Sequence, residues 1–395
     1  MHPALALALL LIAGIGITRL SRPAFRRPAF LDDLLATGVP FLLLGLLLGP
    51  GLGVIDATGL RLLQPLVALG IGWSGALFGA QLEWRMVRRV SPRTWLIGAT
   101  LALPVLLVAT ATAWVLAHAL PPLAESWGRP SLAVALVLAG ALTTAASQRG
   151  PRLGRRNALF DTAFGAAAVI VGVALHHPHV AVRSMILTLF IGGGLGGLLV
   201  ALGRGGMLNE PRDAGMAAFA AILWAAGFSY AASLSPFVVC ALEAAVFMSF
   251  SPLGVRHAIV GLLSRWELPL YAAFLIVAGA LLRPLTPWIV PAALALALIR
   301  VLVRWVTVRF GLDQVDPVWR SLPFAPPPEF AHSPIRQGAS AVALAAGFDL
   351  VRGATAPMGG IGGGVLVTIL LTVMATEALA TLTPLTARPS QAEVT

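Results

Sequence analysis

The sequence predicts an all-α, polytopic membrane protein with about thirteen transmembrane helices. Three observations predict it. Of the 395 residues, 58% are hydrophobic and only 11% charged, whereas a soluble domain carries roughly 25% charged residues. Apolar windows of membrane-crossing length recur between clusters of charge, proline and glycine. The arginines segregate to alternate connections between those windows.

The shortage of charge excludes a soluble globular enzyme and a disordered chain, because too few charges remain to cover a water-facing surface. A net charge of +11 would suggest a nucleic-acid partner in a soluble protein. Here it sets topology, and no nucleic-acid partner is expected. The lone Cys240 lies in an apolar run, so there is no disulfide framework and no zinc motif. No cofactor or metal is expected.

The expected spans are 3–20, 33–54, 62–82, 94–119, 131–148, 157–175, 180–203, 213–231, 234–250, 267–283, 286–311, 337–352 and 361–385. The first lacks the basic leader of a signal peptide and is read as a retained span. With the N-terminus outside, connections facing the cytoplasm hold 21 arginines and the opposite face 5, and Arg300 is left inside a span. That asymmetry fits the positive-inside rule and places the C-terminus in the cytoplasm of a cell's inner (plasma) membrane. The stretch 312–336 reads as a cytoplasmic loop. No soluble regulatory domain is expected.

Ionisable groups inside spans are costly and point to function. They are Asp161, Glu243, Arg300, Asp349 and Glu377, with Glu267 and Arg304 near span ends. Asp161 lies 14 residues before Leu175, and Arg300 lies 14 residues after Thr286. Both therefore sit roughly 21 Å below the outer surface and can pair. A carboxylate buried without a counter-ion favours its protonated form, the chemistry that a proton-coupled cation carrier needs. A structural ion pair locking two helices explains the same charges. Glu243 reads either as a second proton site or as a helix–helix hydrogen bond. Asp349 has Arg352 at i+3 and is expected to form a local interfacial ion pair. The role of Glu377 is open.

Spans 5 and 12 are short and rich in small or polar residues, with Thr143 and Thr144 near the end of one and Ser340 at the start of the other. Paired interrupted segments in two halves of a chain point to discontinuous helices, built as inverted repeats around an ion site. Hydroxyls bonding their own i−4 carbonyls are the plainer explanation. The run Gly192–Gly197 reads as helix packing. The run Gly359–Gly364 reads as an external turn, and His176, His177 and His179 as an exposed loop. No catalytic constellation is visible, so an enzyme is not expected.

Several stretches carry a family likeness. They are Leu46-Leu47-Leu48-Gly49-Pro50-Gly51-Leu52-Gly53, Ala76-Leu77-Phe78-Gly79-Ala80-Gln81-Leu82-Glu83, Leu270–Gly279 and Gln337-Gly338-Ala339-Ser340-Ala341-Val342. In these the chain resembles the monovalent cation:proton antiporter superfamily, closest to the Kef-type sodium/hydrogen exchanger branch. The resemblance implies a sodium/proton antiporter fold with two crossing discontinuous helices and elevator-like alternating access. It implies core helices over about 94–175 and 286–385, dimerisation helices over about 33–82 and 213–283, and a homodimer in the lipid bilayer. It implies exchange of Na⁺ or K⁺ for H⁺ at Asp161, with Arg300 as its basic partner.

The chain departs from the family pattern in lacking a proline beside Thr143 and Thr144, and in carrying Phe160 before Asp161. A single carboxylate favours one-for-one exchange. A non-transporting or regulatory membrane subunit on the same fold, and an organic-anion carrier on a related fold, stay open as alternatives.

Overall fold

A computed structural model of the chain describes residues 38–382, apart from 54–56, 91, 129–130, 146–151, 177, 209, 281–285, 308–336, 338 and 354–362. Every element among the described residues is helical. Helix α1 (Val39–Leu46) runs into a π turn (Leu47–Gly51). It is followed by α2 (Ala57–Gly79), α3 (Trp84–Arg89), α4 (Pro92–Ala119), α5 (Pro121–Trp127), α6 (Leu132–Thr143) and α7 (Arg152–His176). Then come α8 (Pro178–Arg204), α9 (Pro211–Ala231), α10 (Pro236–Phe250), α11 (Leu253–Ala280), α12 (Ile289–Val306), α13 (Ala339–Gly353) and α14 (Gly364–Leu382). Each expected span after the first coincides with one of these helices. The first span, the loop 312–336 and most of the Gly359–Gly364 turn lie outside the described residues.

Helices α4, α7, α8, α9 and α12 are individually long and apolar enough to cross a membrane, and α11 is a sixth if its two halves, bent by 41°, count as one span. The bend falls at Pro269, which has no N–H to give the preceding turn. Side chains such as Leu107, Phe190, Trp224 and Leu298 are more than 60% exposed. Apolar surface of that extent facing outward on several helices is what a bilayer covers.

Helix α11 begins 14 residues earlier than the expected span at 267. The early part is amphipathic: Val255, Ile259 and Leu263, spaced four apart, are buried. The sequence placed Arg256 in a connection. It is instead 5% exposed and tied to Glu83, just before α3, by a 2.5 Å ion pair. Its Nε also donates to the Ser251 carbonyl. Glu83→Gln is expected to cost about 1–3 kcal/mol, between the values for surface and buried pairs. The thermal unfolding midpoint in detergent checks it.

Packing is densest within two groups. In one, α6 lies on α7, α4 and α13, while α12 lies on α14 and α4. In the other, α2 lies on α10, α9 and α11, with α8 on α10 and α1 on α11. Helix α13 also touches α2 and α10, joining the groups.

Glycines set the closest contacts. A Cβ at Gly45 or Gly49 of the α1 segment would strike the backbone of Ile276 or Ala280 in α11. One at Gly75 or Gly79 of α2 would strike the backbone of Phe237 or Ala241 in α10. Gly49 and Gly79 belong to the family-like stretches, so at these two positions the motifs mark places where two helix backbones touch. The Gly192–Gly197 run divides in the same way. Gly192 and Gly196 abut the α10 backbone, whereas Gly193, Gly194 and Gly197 have open space beside them.

Candidate functional site

Helix α6 carries a nearly continuous apolar sequence, and all but two of its residues are buried. Ser131 caps its N-terminus by accepting from the Val134 N–H at 3.3 Å. A Cβ at Gly140 or Gly165 would collide with the carbonyl of the other glycine, so α6 and α7 run in backbone contact.

The helix stops at Thr143 because Thr144 turns extended, at φ −61° and ψ 147°. The proline expected of such a break is not needed. Residues 146–151 beyond it lie outside the described set.

Stopping a helix inside a protein leaves the carbonyls of its last turn without donor partners in the helix. Here side chains meet them. Gln337 Nε2 donates to the Ala141 carbonyl at 3.3 Å, Arg300 Nη1 to Leu142, and Arg304 Nη2 to Thr143 at 3.0 Å. The threonine hydroxyls turn back on their own helix, Thr143 to Ala139 at 2.7 Å and Thr144 to Ala141 at 2.9 Å. That is the plainer of the two readings of these hydroxyls. What Thr143 presents to the site is its carbonyl.

Asp161, on α7, is 2% exposed, and its Oδ2 lies 2.7 Å from Arg304 Nη2. Oδ1 has no hydrogen-bond partner among the described residues. The sequence paired Asp161 with Arg300 and placed Arg304 at the cytoplasmic end of its span. The guanidinium seated on Asp161 Oδ2 is instead that of Arg304, which does lie in the last turn of α12 and is 2% exposed. Equal depth along two straight helices takes no account of helix tilt or of the reach of an arginine. The buried stripe of α12, Ile289, Ala292, Ala293, Leu296, Ala297, Arg300 and Arg304, carries both arginines on one face. Arg300 turns to the end of α6, close enough to Arg304, Asp161 and Glu377 to feel their charges.

The second interrupted segment meets the first here. The Gln337 N–H donates to Glu377 Oε1 at 3.1 Å, and Thr376 Oγ1 donates to Gln337 Oε1 at 3.4 Å. Gln337 thus links the last turn of α6, the start of α13 and the buried face of α14. Sequence reasoning did not single it out as a site residue, although it opens the family-like stretch at 337. Ser340 lies half-buried in the first turn of α13.

Asp349, expected in an interfacial ion pair, is 3% exposed, and its Oδ2 accepts from the Leu366 N–H in the first turn of α14 at 3.1 Å. The Arg352 side chain lies outside the described residues. Glu243 is 1% exposed on α10, in the other helix group, and so lies apart from this cluster. His176 contacts Phe348 edge-on, with ring centroids 5.9 Å apart. The side chains of His177 and His179 are outside the described residues.

Phe160 is 4% exposed and packs edge-on to Trp95, at 4.7 Å between ring centroids. It leaves no polar group at the position before Asp161. Among the described residues no three His, Cys, Asp or Glu side chains converge as a metal site.

No family model matches the sequence, and no curated protein matches it. Among solved structures the chain is similar to the sodium proton antiporter MjNhaP1 from Methanocaldococcus jannaschii, determined at pH 8, over 96% of each chain, with 13% identity and a TM-score of 0.59. At that identity the likeness speaks to architecture, and the chain has the sodium/proton antiporter fold.

Proposed function

We propose that the chain is a secondary antiporter that exchanges a monovalent cation, Na⁺ or K⁺, for H⁺ through the single carboxylate of Asp161. The observation that carries this reading is the seat of Asp161. It is a buried carboxylate held by one guanidinium, beside the broken end of a helix, in a fold shared with a sodium proton antiporter.

In the empty state Arg304 supplies the counter-charge. A proton or a dehydrated cation binds by displacing that guanidinium from the carboxylate. Each excludes the other, so the two fluxes are coupled through one site. One charge then moves in for each charge out, which gives one-for-one exchange. In this reading α4–α7 and α12–α14 form the moving core, and α1, α2 and α8–α11 the dimerisation scaffold.

The test is collapse of a pH gradient in proteoliposomes on adding Na⁺, K⁺ or Li⁺. Wild type is expected to dissipate the gradient with at least one of these ions, and Asp161→Asn to abolish the response. Full cation-dependent flux in Asp161→Asn overturns the mechanism. The packing of Phe160 against Trp95 favours a second reading, a non-transporting membrane subunit on the same fold, because it removes a polar ligand beside the carboxylate. Wild-type vesicles inert to all three ions would select that reading.

A further inference from the structure

Glu243 lies midway along α10, surrounded by α2, α8, α9 and α11. It lines a cavity of about 20 Å³, walled otherwise by apolar side chains that include Ala76, Leu199, Ile222, Phe247, Ile259 and Leu263. That volume holds about one water molecule. The carboxyl Oε2 has no hydrogen-bond partner among the described residues.

No cation faces it. The cavity walls from α2, α8, α9 and α11 contribute no titratable or charged side chain. On its own helix the nearest titratable group is the buried thiol of Cys240, one turn away, which points toward the Ile222 carbonyl. Of the other helices packed on α10, α3 meets it at Ser249 and carries only exposed arginines, Arg85, Arg88 and Arg89. On α13, Asp349 bonds the first turn of α14.

An ionised carboxylate in such surroundings has neither counter-ion nor donors, and its burial is strongly unfavourable. A hard cation would need several oxygen ligands, and the cavity offers only those of one carboxyl. Close approach of Gly196 to the Glu243 backbone leaves no room for more on that side. A single proton meets the need, and the neutral acid then has one O–H to place.

We propose that Glu243 is a proton-binding site in its own right, a neutral carboxyl whose O–H points into the cavity and donates to one water molecule held there. The site lies outside the Asp161 cluster and does not depend on the antiporter reading. Loss of that proton would leave a bare carboxylate in the cavity. The scaffold then carries a charge that draws water between α2, α8, α10 and α11.

The experiment is infrared spectroscopy of the full-length protein in lipid vesicles at neutral pH. The expected result is a protonated-carboxyl stretch. It should be missing from Glu243→Gln and retained in Asp161→Asn. Wild-type protein grown on carbon-13-labelled glutamate gives a second measurement that needs no variant, and the same band should shift. A band that survives in Glu243→Gln, or that ignores glutamate labelling, overturns the proposal. Loss of the band in Asp161→Asn alone would assign the proton to Asp161 and overturn it equally.

Discussion

Replacing Arg304 by methionine is expected to cost about 3–5 kcal/mol of stability at neutral pH, because Asp161 is left buried without its counter-ion. Methionine keeps most of the apolar stem, so packing changes little. The loss has a definite pH dependence. As pH falls, a proton supplies the neutralisation that Arg304 gave, so the gap from wild type narrows in acid and widens in alkali. A double variant, Arg304→Met with Asp161→Leu, removes both charges and should recover much of the loss, as buried pairs replaced by apolar side chains do. Thermal unfolding in detergent across pH, run as a double-mutant cycle, checks all of this. A midpoint for Arg304→Met equal to wild type at every pH would mean that the pair does not form.

Gly79→Leu is expected to destabilise by about 1–3 kcal/mol or more, by pushing a side chain into the Ala241 backbone and prising α2 from α10. Gly194→Leu, on α8 with open space beside it, is the control and should stay within about 0.5 kcal/mol of wild type, or gain slightly from helix propensity. The same unfolding measurement compares the two. Equal losses would contradict the close backbone contact between α2 and α10.

Much of the architecture was legible in the residues. Hydrophobic windows located every described membrane helix, because water-to-lipid transfer acts on composition over some twenty residues at a time. The early start of α11 was not, because Val255, Ile259 and Leu263 form a stripe on a helix that also carries Arg256 and Arg265, and a window average hides a stripe. Short α3 and α5 fell below the length that such windows detect. In the site, Asp161 and Arg300 stood out as charges within apolar sequence, but their pairing was misjudged. Choosing between Arg300 and Arg304, one turn apart on one face, requires the tilt of α12 against α7, which arises from packing between segments well over a hundred residues apart. Gln337 was invisible for a related reason. An amide near a predicted span end is unremarkable until the end of α6 is seen to need donors.

That need has one more consequence. Aligned peptide dipoles place roughly half a negative charge at the C-terminal end of a helix. Helix α6 ends with its Leu142 and Thr143 carbonyls on Arg300 and Arg304, far from bulk water. On the proposed mechanism, when Asp161 takes up a proton or a cation, Arg304 loses its carboxylate but keeps that partial charge, fixed in place and already in contact. The broken helix thus acts as a standing reserve of negative potential. On that reading it keeps the guanidinium seated while Asp161 changes partners.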